Sequence, residues 1–268
     1  MRLFATTLAL AVAAVAALGG DRETLVRDAV DNYFRSARLM QQFAVIRQTE
    51  RRDFQNNGDL KTRDHWTQRI DFIDGVRVGW TIERDGKPVS EEERMRSYAS
   101  ARQAAAEWKA KPPAERKKQL EKAEKETDYL REFPNALAFT ALPDEVVNGR
   151  MAMVWSFNPK PGYKAKTMGG RIYEGVTGRI WLDREERQLV RLDAEVTKEV
   201  TIGGFLAKIE KGTRFELTQT RMESGCWLPS HQLVNYGARI LMVKGIHRSV
   251  DTHYRQWRRS AGPIWSGN

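Results

Sequence analysis

From Thr177 to Tyr254 the chain alternates apolar and polar residues in one run after another, a pattern that fits successive antiparallel strands and no helical period. Thr177 to Asp183 reads as one strand, Arg184 to Arg187 as a turn, and Gln188 to Val196 as the next strand. In the segment Gly204 to Thr220, Phe205, Ala207 and Ile209 share a side, and Phe215 and Leu217 share one after Gly212. Ser224-Gly225 then turns the chain into Cys226, Trp227, Leu228 and Pro229, and a last ribbon runs from His231 towards Tyr254. Strands this numerous, each with one apolar face, call for one large curved sheet, and the upstream chain has to be placed against it.

With 268 residues, 41% of them hydrophobic, the chain can bury a full core. Residues 1–20 stand apart: Arg2 is followed by an apolar or small-residue run to Leu18, ahead of the first acidic residue, Asp21. These are the parts of a secretory signal peptide with cleavage near Gly19 or Gly20, the alternative being a retained N-terminal anchor. The expectation is a periplasmic protein with a single domain over residues 21–268. One cysteine, Cys226, allows no intrachain disulfide and reads as a packing residue beside Trp227. The net charge of +10 is spread among acidic residues rather than gathered in a stripe. Such a surface can attract anionic lipid, peptidoglycan or nucleic acid, of which export disfavours nucleic acid, and charges that alternate in sign read first as a solvated face.

Asp21 to Met40 has helical spacing, with Val26, Ala29, Val30, Tyr33, Phe34 and Ala37 on one side. Strands Phe43 to Asp53, Lys61 to Phe72 and Val76 to Glu83 follow, punctuated by Asn57-Gly58, Asp74-Gly75 and Asp85-Gly86. Residues 90–132 read as a charged helical insertion. Ser90 and Glu93 fit a capping box, Pro112 and Pro113 break the insertion, and a second helix runs from Ala114 to about Glu132. The insertion is expected to cover one opening of the sheet. Phe133 to Pro143 is a connector, and Glu145 to Phe157 is a hairpin about Asn148-Gly149 that places Met151, Met153, Trp155 and Phe157 on one face. A basic loop with two prolines, Asn158 to Thr167, leads back to the organising strands.

This order of elements, with Gly178-Arg179-Ile180-Trp181-Leu182-Asp183 and Leu189-Val190-Arg191-Leu192-Asp193-Ala194-Glu195-Val196, resembles the outer-membrane lipoprotein-sorting (LolA/LolB-like) group. It most resembles an envelope branch that also carries Asn158-Pro159-Lys160-Pro161-Gly162-Tyr163 and Gly203-Gly204-Phe205-Leu206-Ala207-Lys208. The resemblance implies an α+β fold, an incomplete antiparallel β-barrel with helices over its concave face, and an apolar cavity for the acyl chains of a lipid or lipoprotein. It implies a non-enzymatic carrier without a cofactor. The alternative is an envelope protein-interaction or sensor module with a closed core, whose partner is an envelope protein or anionic membrane surface.

Phe34, Trp155, Phe157, Trp181, Phe205, Phe215, Leu217 and Trp227 are the candidate cavity residues, the alternative being that they simply fill the core. No catalytic residue is expected: the chain lacks a nucleophile elbow and a phosphate loop. The four histidines form no metal-binding motif. His247, Asp251 and His253 could share one strand face, but the outer two would then stand roughly 20 Å apart, so no metal site is expected.

Overall fold

The computed structural model describes the backbone of residues 6–202, 207–240 and 244–260, and the side chains of 23–202, 208–239 and 245–260. Helix α1 spans Thr6–Met40, running unbroken through Gly19-Gly20. Three strands follow, β1 (Phe43–Phe54), β2 (Leu60–Ile73) and β3 (Val76–Arg84), with a short β4 (Lys87–Pro88). Next come α2 (Glu91–Ala110), α3 (Pro113–Thr127), a 3₁₀ turn over Asp128–Glu132 and α4 (Phe133–Ala136). Strands β5 (Leu137–Val147) and β6 (Arg150–Pro159) form a hairpin, and a second 3₁₀ turn covers Gly169–Glu174. The remaining strands are β7 (Val176–Asp183), β8 (Leu189–Val196), β9 (Val200–Ile202), β10 (Ala207–Ile209), β11 (Arg214–Arg221), β12 (Trp227–Ile240) and β13 (Lys244–Arg259).

The strands make one 13-stranded sheet in the order β4-β3-β2-β1-β13-β12-β11-β8-β7-β6-β5, with β9 and β10 attached at the far end of β12. Every pairing is antiparallel, and the two ends of the order do not meet. The fold is therefore α+β, an incomplete barrel with helices packed over its concave face. Three hairpin turns are dictated locally. Asp74-Gly75, Asp85-Gly86 and Asn148-Gly149 all have φ between 48° and 80°, the left-handed pair that matches the twist of two-residue hairpins.

The main core lies between α1 and the inner face of β5 to β8. It holds Val26 and Ala29 of α1, Phe133 and Ala136 of α4, Leu137, Trp155, Phe157, Ile180 and Leu182. A second cluster sits on the other face of the same strands, where Val154, Trp181 and Val190 pack with Trp227. Strand β7 is consequently buried on both faces from Ile180 to Asp183 rather than alternating, because the bulged β5 strand brings Leu142 and Val147 over the outer side.

Asp183 is 1% exposed, although its place beside a charged turn reads as surface charge. Arg150 grips it with two hydrogen bonds, 2.6 and 3.0 Å, and the amides of Glu185 and Glu186 donate to it as well. Burial alone would raise the Asp183 carboxyl, but these donors outweigh it and hold it below its ordinary range. The pair fastens the β5–β6 turn to the β7–β8 turn.

The insertion packs at the β3 end of the open sheet. Ser90 caps α2, its side chain accepting from the Glu93 amide, while the Glu93 carboxylate turns to Arg84. The helix runs along β3, where Ser97 Oγ accepts from the Thr81 amide at 2.8 Å and Tyr98 meets Trp80 edge-on. Ala101 and Ala105 are buried there. Arg116 of α3 folds back to donate to the Lys109 and Lys111 carbonyls at the end of α2. The insertion thus covers the β3 edge of the sheet, and α1 with α4 covers the concave face. The segment read as a connector is α4 and the first half of β5, since Leu137 and Phe139 point to the core on alternate positions.

Phe157 is 1% exposed among Phe133, Phe139 and the sheet, so Phe157→Ala is expected to cost about 3–5 kcal/mol in urea unfolding. Val146, on the outermost strand and 65% exposed, is the control: Val146→Ala should stay within about 0.5 kcal/mol of the parent chain.

Candidate functional site

Where α1 crosses the concave face, two small clefts adjoin. The first is an apolar cleft of about 110 Å³ between Ala29, Val30 and Tyr33 of α1 and Ile180, Leu189, Leu192 and Leu217 of the sheet, with Leu130 and Phe133 at one side. Here α1 presents its smallest core residue, Ala29, opposite four branched side chains. The second, of about 120 Å³, shares Tyr33 and Leu217 with the first and continues towards the end of α1. Its lining is mixed: Ser36, Arg47, Arg77, Gln219, Gln232 and Tyr254 stand among Ala37, Met40, Ile70, Leu217, Trp227, Pro229 and Trp257.

The register places Arg47 of β1 opposite Tyr254 of β13, and Arg77 of β3 opposite Phe72 of β2. Arg77 donates to the Phe43 carbonyl at 2.9 Å, Arg47 reaches Gln68, and Tyr254 donates to Gln232 at 2.8 Å. Burial, reinforced by the charge of Arg47, pushes the Arg77 guanidinium below its ordinary basicity. No carboxylate lines this cleft, and Arg47 Nε and Gln219 Oε1 are buried there without a hydrogen-bond partner among the described residues. The arrangement can accept an acidic or carbonyl group.

The expected cavity residues are dispersed. Trp155 and Phe157 are packed into the main core and line neither cleft. Trp181 stands on the outer face, where its indole donates to Glu145 at 2.8 Å and lies between Arg179 and Arg191; its neighbours Ile180 and Leu182 face inward, as a period of two requires. Trp227 belongs to the outer cluster, donates to Glu186, and borders the second cleft. Phe215 packs on the main core, and Leu217 lines both clefts. Phe34 turns from the clefts to Arg131, whose guanidinium lies 4.2 Å from its ring centroid. Phe205 lies outside the described residues.

Sequence reasoning missed Arg47 and Arg77. Each sits in an alternating strand as an inward polar residue, a signal that identifies them once the inner face is known. It also missed Glu132, which organises the basic loop. Glu132 is 7% exposed and accepts from the Tyr163 and Thr167 hydroxyls and from the amides of Lys166 and Thr167. Lys160 pairs with Glu23 of α1 at 2.9 Å, so the loop is held at both ends. Gly170 lies in the second 3₁₀ turn, and a Cβ there would come within 2.5 Å of Glu132 Oε1.

No family profile matches the chain, and no curated protein is similar to it. Among solved structures it is similar to a domain described as an outer membrane lipoprotein-sorting protein from Vibrio parahaemolyticus, with 12% identity and a TM-score of 0.32 over 88% of this chain and 94% of that one. It is similar to a DUF1329 family protein from Desulfovibrio piger, with 11% identity and a TM-score of 0.30 over 87% and 92%. A third likeness is to the MucA/MucB complex of Pseudomonas aeruginosa, with 10% identity and a TM-score of 0.22 over 88% and 100%. Likenesses this distant carry no argument about activity, and the functional reading rests on the geometry of the chain.

Burial would raise the Glu132 carboxyl, and its four hydrogen bonds reverse that, holding it below the ordinary value of 4.5. A depressed carboxyl stabilises the fold above its unfolded pKa, and that contribution fades as pH falls through the folded value. Glu132→Gln should therefore lower the thermal midpoint at pH 7, and the gap to the parent chain should narrow below pH 4.5, measured by circular dichroism across a pH series.

Proposed function

We propose that this chain is a non-enzymatic protein-interaction module of the cell envelope, acting in the periplasm with a closed core and no lipid ligand. The observation that carries this reading is the size of the apolar cleft beneath α1, about 110 Å³. Pockets that enclose a small ligand hold about 300–1,000 Å³, and this cleft falls well below that range. Acyl burial would contribute about 0.8 kcal/mol for each CH₂, but only if α1 moved off the sheet and gave up the burial of Val26 and Ala29.

What the chain offers a partner is polar and fixed in place. The Arg47 and Arg77 cleft suits an acidic side chain or main-chain carbonyl of a protein segment. The charged helices α2 and α3 present Met95 and Leu120 to solvent at 58% and 41% exposure, apolar points in a charged surround. Neither feature requires a chamber large enough for an acyl chain. The lipid-carrier reading, in contrast, requires one.

Native mass spectrometry of the gently purified protein, with titration of a fluorescent fatty acid, tests the reading. The expected outcome is no copurifying lipid and no saturable uptake, while a photo-crosslinker at Met95 or Leu120 captures a discrete protein in the envelope. Saturable fatty-acid binding that Leu217→Trp weakens, by filling the cleft that Leu217 lines, would overturn the closed-core reading and restore the carrier.

A further inference from the structure

On the face of the sheet opposite α1, three side chains from two strands converge. His231 of β12 is the register partner of His253 of β13, and Asp251 precedes His253 by two residues, so all three stand on one face. The imidazole rings stack, with centroids 4.5 Å apart and planes 23° from parallel. Both direct Nε2 at the same carboxylate oxygen, Asp251 Oδ1, at 2.9 Å from His231 and 3.2 Å from His253. One ligand atom from each residue lies within 4.8 Å of the others.

We propose that His231, Asp251 and His253 form a binding site for a divalent first-row transition metal, with zinc as the representative ion. Zinc bound tetrahedrally at about 2.0–2.1 Å from nitrogen and oxygen ligands separates those ligands by about 3.3 Å, close to the two histidine-to-aspartate distances here. Two imidazoles and one carboxylate suit zinc and its neighbours, whereas magnesium and calcium select oxygen-only sets. The ladder between β12 and β13 fixes the backbone of all three ligands, so the metal would need only small side-chain rotations. The three residues leave coordination positions for water or for a group from a bound partner. Glu50, the register partner of Asp251, does not fill one, because Arg52 and Arg63 each hold it at 2.7 Å.

Isothermal titration of zinc chloride into the metal-stripped full chain tests the proposal, with the thermal midpoint as a second reading. The expected result is one saturable site, a zinc-dependent rise in the midpoint, and at least a tenfold loss of affinity in Asp251→Asn and in His253→Ala. His247→Ala should bind as the parent chain does, since His247 pairs with Glu210 away from this cluster. His231 is more enclosed than His253, at 27% against 53% side-chain exposure, so His253→Gln separates the metal reading from any loss of folding. Absence of saturable zinc binding, or equal affinity in the parent chain and in the Asp251 and His253 variants, would overturn it.

Discussion

The structure depends on how a single helical stripe meets a concave sheet that is only half apolar. Val26 and Ala29 of α1 lie over β6 to β8, where they pack in one buried cluster with Phe157, Ile180 and Leu182. Further along α1 the same stripe becomes Ser36, and the sheet opposite it becomes Arg47, Gln219, Gln232 and Tyr254. Apolar burial gains about 25 cal/mol per Å², so the helix is drawn onto the first half of the face and bridges the second. The small apolar cleft marks the transition between these halves. Across the β1 to β3 half the apolar lining is interrupted by Arg47 and Arg77.

Two buried carboxylates set the parts that the hydrophobic stripe leaves undetermined. An unpaired charge in such places would cost several kcal/mol, yet both Asp183 and Glu132 are surrounded by donors that satisfy their oxygens. Asp183 ties two turns at one end of the sheet, and Glu132 organises the long loop before β7. The loop enters the fold as a hydrogen-bonded surface, which is why its lysines are displayed in a fixed order rather than left on a free linker.

Features determined by neighbours in the chain were legible beforehand. The Asp-Gly and Asn-Gly turns, the Ser90 cap, the proline break and most strand limits follow from local backbone preference. Features determined by register were not. Trp181 reads as a cavity residue because it is large, and the pairing of β7 with β6 and β8 turns it outward. The charged insertion reads as a lid because it is amphipathic, and the Ser97 and Tyr98 contacts place it along β3. Considering histidines along one strand separates them, whereas His231 and His253 meet across two strands from positions 22 residues apart. The arginine cleft needs still longer connections, since β1 meets β13 through pairs such as Thr49 with Thr252.

That last pairing bears on how the molecule comes into being. Strand β13 is the final described strand in the chain, yet it lies between β1 and β12 in the middle of the sheet. A polypeptide delivered amino end first, from a ribosome or through a translocation channel, would present β1 to β3 as one fragment and β5 to β12 as another. Each fragment would expose a long unpaired border, able to recruit foreign strands, until Lys244–Arg259 arrived to occupy both at once. The two halves of the sheet are thus joined edge to edge only through contacts about 200 residues apart in the chain, whose closure carries a loop-entropy cost that shorter hairpins do not.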